Sequence, residues 1–104
     1  MSNNTQPLLG SLGLCRKAGK LLHGFDRVQE NAQLGKVSLV LLAADASERT
    51  KTHISAACRG LCPCCVMPLS TAQLAGLTPK PAAVFGITDA NLARLCKSHL
   101  EESY

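Results

Sequence analysis

The chain has 104 residues, 46% of them hydrophobic, which is enough for one ordinary core and too apolar for disorder throughout. With no Trp, one Tyr and two Phe, that core is aliphatic, and few rings are left on which bases could stack. The net charge of +4 is uneven: residues 1–24 carry Arg16, Lys17 and Lys20 and no acid, while Glu101 and Glu102 lie near the C-terminus. Such an excess fits either a polyanion partner such as RNA or an ordinary solvated face.

No stretch approaches the ~20 apolar residues that cross a bilayer. The opening MSNNTQP lacks the basic flank and apolar run of a secretory signal. The expectation is a cytoplasmic protein without membrane contact, its six cysteines free thiols in a reducing compartment.

Residues 1–6 read as a disordered polar tail, and residues 7–104 as a single domain without linker or internal repeat. Pro7 opens a helix whose Leu8, Leu12 and Cys15 share one face, with Gly19 as its stop. A short strand from Lys20 to His23 follows. After Gly24, the spacing of Phe25, Val28 and Ala32 predicts a second helix ending before Gly35. Residues 37–43 form a buried strand. Asp45, three residues ahead of Glu48, predicts a capping box for a helix with Ile54, Ala57, Cys58 and Leu61 inward.

Pro63 forces an extended entry into a third core strand, Cys64 to Leu69. Ser70 predicts a short helix ending near Gly76, and the prolines of Thr78-Pro79-Lys80-Pro81 stiffen a loop. A strand over 82–87 leads to Asp89, which caps a last helix with Leu92, Leu95, Cys96 and Leu100 inward. Two apolar strands that each end near an Asp and enter a helix indicate an α/β fold around a buried sheet.

Catalysis finds little support. His23, His53 and His99 stand far apart in the sequence, both phosphate-binding glycine motifs are absent, and Asp45 and Asp89 are accounted for as caps. Cys58, Cys62, Cys64 and Cys65 lack the two separated pairs of a structural zinc site, and a strand sends Cys64 and Cys65 to opposite faces. Cys62 and Cys65 have redox-motif spacing, but at a strand entrance rather than before a helix. The expectation is no enzyme, no cofactor and no metal.

A binding surface is easier to assemble. Gly24 precedes a helix whose first amides carry partial positive charge. Asp26 can accept from guanine N1 and N2, and Arg27 can reach phosphate or guanine acceptors. Lys17, Lys20 and Lys36 are expected to line the approach, with Lys80 on the stiffened loop. Each of these residues is equally at home on an ordinary surface.

The strings LGLCRKAGKLLHG, GKVSLVLLAADASERTK and LAGLTPKPAAVFGITDANLARLC resemble the small YlxQ-type bacterial proteins. Those belong to the ribosomal-protein superfamily of kink-turn RNA binders, relatives of archaeal box C/D and large-subunit proteins. The resemblance spans Leu8 to Leu100 and is weakest across the cysteine-rich middle. It implies a three-layer α-β-α sandwich with a four-stranded mixed sheet, matching the four strands and about five helices read above.

It also implies a non-catalytic RNA-binding role. The start of the second helix (Gly24, Phe25, Asp26, Arg27) would grip tandem G·A pairs, and the loop Leu77, Thr78, Lys80, Pro81 and Ala82 would cover flipped-out bases. The family's strong kink-turn binders have Gly-x-Asn-Glu-x-x-Lys where this chain has Gly24-Phe25-Asp26-Arg27-Val28-Gln29-Glu30. Glu30 puts a carboxylate where a groove lysine is expected, and each base-edge interaction changed is worth ~1–3 kcal/mol of discrimination. The expected partner is structured RNA, ribosomal RNA and the ribosome included. The alternative is a protein-interaction adaptor on the same fold that has lost kink-turn binding.

Overall fold

The computed structural model describes residues 6–102, with the side chains of residues 101 and 102 left out. Two strands, β2 (Leu39–Leu42) and β4 (Val84–Ile87), are buried at every position, as strands covered on both faces must be. Leu39, Leu41, Phe85 and Ile87 serve one face of the sheet, and Val40, Leu42 and Val84 the other. The shorter strands β1 (Leu21–His23) and β3 (Cys64–Val66) form the edges, giving the order β1-β4-β2-β3. β2 and β3 are parallel, whereas β4 runs antiparallel to both β1 and β2. The sheet is four-stranded and mixed, as expected, and β1, β2 and β3 share one direction.

Helices cover both faces. Leu8, Leu12 and Cys15 of α1 (Gln6–Lys17) and Ala93, Cys96 and Leu100 of α4 (Ala90–Glu102) pack on the Phe85 face. Val28 and Ala32 of α2 (Phe25–Gln33) and Ile54 and Cys58 of α3 (Glu48–Cys58) pack on the Val40 face. Full burial of a Leu, Ile or Phe side chain contributes about 1.5–3 kcal/mol, so these two clusters hold the sandwich together. Gly86 lets α2 sit close to the sheet: a Cβ there would lie 3.3 Å from methyl carbons of both Val28 and Val37.

Several expectations are corrected. Gln6 belongs to α1 rather than to the tail, while residues 1–5 lie outside the described residues. Ser47, not Asp45, caps α3: its hydroxyl accepts from the Thr50 amide at 3.1 Å. Asp45 instead accepts from the amide and hydroxyl of Thr71, both at 2.8 Å, across 26 residues of sequence. β3 ends at Val66 and is an edge strand rather than a core one. Leu95 is 38% exposed and Leu61 53%, so neither faces inward as expected.

The described residues form four α-helices rather than about five. Ser70 does cap, reciprocally with Gln73: its hydroxyl accepts from the Gln73 amide, and its own amide donates to Gln73 Oε1. The three-residue closures that follow, Leu74 to Thr71, Ala75 to Ala72 and Leu77 to Leu74, make a run of tight turns instead of a helix. These turns drive Leu74 and Leu77 into the Phe85-side core. Asp89 caps α4 as expected, its Oδ1 accepting from the amides of Asn91 and Leu92. No described helix is long and apolar enough to cross a membrane.

Candidate functional site

β1, β2 and β3 all terminate at one end of the sheet, and α2 and α3 begin there. Ligands of open α/β sheets gather outside the carboxyl ends of the strands. At this end the Gly24 amide donates to the Val84 carbonyl at 3.0 Å, seating the start of α2 against the entry to β4. Gly24 holds φ 99° and ψ 146°, a region that residues with a Cβ rarely occupy. No side chain caps α2, so its first-turn amides stay open to a ligand at the positive end of the helix.

The loop before β4 faces this helix start. Thr78 Oγ1 donates to the Lys80 carbonyl at 2.7 Å, which folds the loop on itself, and the Ala43 amide donates to the Ala83 carbonyl at 2.8 Å. Between loop and helix lies a cleft of about 350 Å³. Of the residues expected to bind, Gly24, Phe25, Lys80, Pro81 and Ala82 line it. Asp26 and Arg27 stand exposed beside it on the first turn of α2. Thr78 supports the loop from a half-buried position, and Leu77 is only 8% exposed and belongs to the core.

The remaining expected residues are elsewhere. Lys20 precedes β1 and its carbonyl accepts from the Thr88 amide, at the end of the sheet opposite Gly24. At 3.3 Å per residue, β1 separates the two backbones by about 13 Å. Lys17, at the end of α1, and Lys36, just before β2, sit at that same far end. The three lysines expected to line the approach are therefore not brought to the cleft.

The cleft also holds residues that the sequence did not single out. His23, Ala83 and Val84 line it, together with Thr50 from α3. His53, also on α3, sets its ring 6.1 Å from that of Phe25 with a 55° tilt, propping the aromatic at the cleft wall. Only the packing of α3 against α2 brings Thr50 and His53 here, and no local motif marks them. The wall is mostly neutral, with Lys80 the one lysine lining it. The chemistry on offer is amide donors, one cation and an apolar lip, which suits docking of a planar, hydrogen-bonding anion.

The cysteines stand apart from this site. All six are free thiols. Cys65 packs with the Phe85-side cluster and Cys64 with the opposite one, as strand alternation requires. Burial, followed by a hydrogen bond with Cys62, pushes the Cys58 thiol up to about 12. Cys15 and Cys96 meet in the core with sulfurs 3.9 Å apart. That hydrogen bond, followed by burial, holds Cys96 well above the ordinary thiol range.

Comparison with known proteins converges on one group. The chain is 32% identical over 98 residues to the RNA-binding protein YlxQ of Enterococcus faecium, covering 94% of this chain and 95% of that one. A protein of unknown function from Bacillus halodurans superposes with a TM-score of 0.82 at 28% identity, over 90% of this chain and 96% of the other. The Giardia lamblia 15.5kD RNA binding protein shares the fold, with a TM-score of 0.70 at 19% identity over 95% and 86% of the two chains. The model of the ribosomal protein L7Ae/L30e/S12e/Gadd45 family matches residues 7–97. Family match, YlxQ relative and shared sandwich agree, and the chain is a YlxQ-like member of the ribosomal protein L7Ae/L30e/S12e/Gadd45 family.

Proposed function

We propose that the protein is a small RNA-binding protein of the bacterial cytoplasm, acting by docking rather than by catalysis. It receives structured, kink-turn-like RNA in the cleft between the start of α2 and the loop before β4. The observation that carries this reading is the Gly24–Val84 hydrogen bond, which sets open helix amides opposite the Lys80–Ala82 lip. The name of the Enterococcus faecium relative supports RNA as the ligand class.

In this reading the amides of the first α2 turn and Arg27 hold phosphate or guanine acceptors, and Asp26 accepts from guanine N1 and N2. The Pro81–Ala82 lip covers an extruded base, with Phe25 at the opposite wall. Glu30, exposed on α2, weakens attraction to the backbone nearby and makes the grip looser than a lysine there would. Ribosomal RNA, on or off the ribosome, is the natural source of such an element.

The test is a titration of a kink-turn RNA and a plain duplex of equal length across a range of salt. Preference for the kink-turn that survives rising salt supports the reading, because base contacts outlast phosphate screening. Equal affinity for both RNAs removes kink-turn recognition. Binding to neither at low salt replaces RNA with a protein partner, the adaptor alternative.

A further inference from the structure

Most of the positive charge of this chain lies away from the cleft. Of its eleven Lys and Arg, seven lie exposed at the opposite end of the sheet, where β1, β2 and β3 begin. Arg16 and Lys17 end α1, Lys20 leads into β1, Lys36 precedes β2, and Arg59 ends α3. Arg94 and Lys97 come from α4, which starts at this end, and both line a groove there with Ser38 and Pro63.

Backbone hydrogen bonds knit these segments together. The Thr88 amide donates to Lys20 O, the Ser38 amide to Ile87 O, and the Val40 amide to Pro63 O. A groove of about 280 Å³ runs between Ser38, Leu39 and Pro63 on one side and Arg94 and Lys97 on the other.

Little opposes this charge. Asp89 is at this end, and its Oδ1 is held by the amides that start α4. Glu30 lies in the second half of α2, which runs toward this end, so two acids stand against seven cations. Among the described residues the one ion pair is Lys51–Glu48, on α3 at the cleft end, so no described carboxylate forms an ion pair with any of the seven cations. The cleft end, by contrast, mixes Asp26, Asp45 and Glu48 among its four cations.

We infer that this basic end is a second RNA-binding surface, which holds the phosphate backbone of a helical segment distinct from the RNA in the cleft. The inference rests on the reading of the chain as an RNA binder, but not on kink-turn recognition. The cations are spread over loops and helices from all three layers, across a molecule 27–28 Å wide in its shorter dimensions. Such a spread suits a run of phosphates better than one small anion. The chain's only described aromatics, Phe25 and Phe85, lie at the cleft wall and in the core, so the basic end has no stacking platform and binds without regard to sequence.

The test uses the full chain, a plain RNA duplex as probe, and two charge-matched double variants. Lys20→Gln/Lys36→Gln removes two charges from the basic end, and Arg49→Gln/Lys51→Gln removes two from α3. All four positions are at the surface or half-exposed, and circular dichroism is used to check the folding of each variant. The expected result is at least a fivefold loss of duplex affinity at low salt for the first variant and a change below twofold for the second. The slope of log affinity against log salt should fall by about 0.9 for each phosphate that is no longer neutralised, the value for duplex DNA. Equal losses in both variants, no loss in either, or no duplex binding by the unaltered protein would overturn the inference. The ratio of kink-turn to duplex affinity is measured in parallel. A rise in that ratio for the Lys20→Gln/Lys36→Gln variant, with kink-turn affinity held, shows that the cleft works independently of the basic end and keeps the two readings separable.

Discussion

The Gly24 amide donates to the Val84 carbonyl at 3.0 Å, joining residues sixty positions apart at the point where the second helix and the last strand converge. This bond fixes the relative position of the two walls of the cleft. It requires the backbone of Gly24 to remain at φ 99°. Gly24→Ala places a Cβ where no heavy atom lies within 4 Å, so its penalty is conformational rather than steric. The expected loss is about 1–3 kcal/mol in chemical denaturation. A weaker preference for kink-turn over duplex RNA should accompany it as the helix start shifts.

Gly86→Ala acts by crowding instead. The new methyl would stand 3.3 Å from methyl carbons of Val28 and Val37, both buried and both stiff at χ1. Both neighbours must give by a few tenths of an ångström, which presses α2 away from the sheet. Overpacking of this kind costs about 1–3 kcal/mol, and the cost is read from the shift in urea midpoint. An unchanged midpoint would show that α2 has slack above β4.

Asp45 and Thr71 close the chain segment that feeds the cleft loop. The two hydrogen bonds from Thr71, backbone amide first and hydroxyl second, hold the Asp45 carboxyl below its usual value of 3.8. A depressed carboxylate contributes stability that is present above its unfolded pKa and is lost as pH falls through the folded one. The unaltered protein should therefore be more stable than Asp45→Ala at pH 7. That difference should shrink as pH drops below about 3.8, measured by denaturation at each pH. A difference that stays constant to the acid limit of the fold would mean that the carboxyl charge plays no part.

Cys58 makes stability depend on pH on the alkaline side. In the unfolded chain Cys58 ionises near 9.0, whereas in the fold burial and its neighbour Cys62 raise it to about 12. The folded state thus holds the extra proton, and stability falls as pH rises through that window. Cys58→Ala should lower stability at pH 7 by about 1 kcal/mol, the scale of one buried methylene-sized group. It should also flatten the decline between pH 9 and 12, followed by thermal melts in that range.

The fold was largely legible because burial and alternation act locally. Leu39 to Leu42 read as a buried strand in any context, and Leu8, Leu12 and Cys15 fall on one helical face by spacing alone. What went astray depended on competition or on distant neighbours. Asp45 has the spacing of a cap, yet Ser47 is two residues nearer the helix and Thr71 supplies Asp45 with two donors from another segment. Ser70 and Gln73 form a capping pair at the position where Ser70 pointed to a helix start, but the turns after it tighten to bury Leu74 and Leu77.

The site divided along the same line. Gly24, Phe25 and the Lys80–Ala82 loop could be joined through the family resemblance, and the cleft unites them. Thr50 and His53 enter only through the packing of α3 on α2, which no spacing encodes. Lys17, Lys20 and Lys36 look close to Gly24 along the chain, but strand β1 and helix α2 carry them to the far end of the sheet.

The most direct test of the cleft is amide chemical-shift mapping of the isotope-labelled protein, titrated with a kink-turn RNA in moderate salt. The account predicts the largest changes at Gly24 to Arg27 and Ala82 to Val84, with Lys80 and the Thr50–His53 turn of α3 following. Changes confined to the basic end, around Lys20, Lys36 and Arg94, would contradict it and leave the cleft without an RNA.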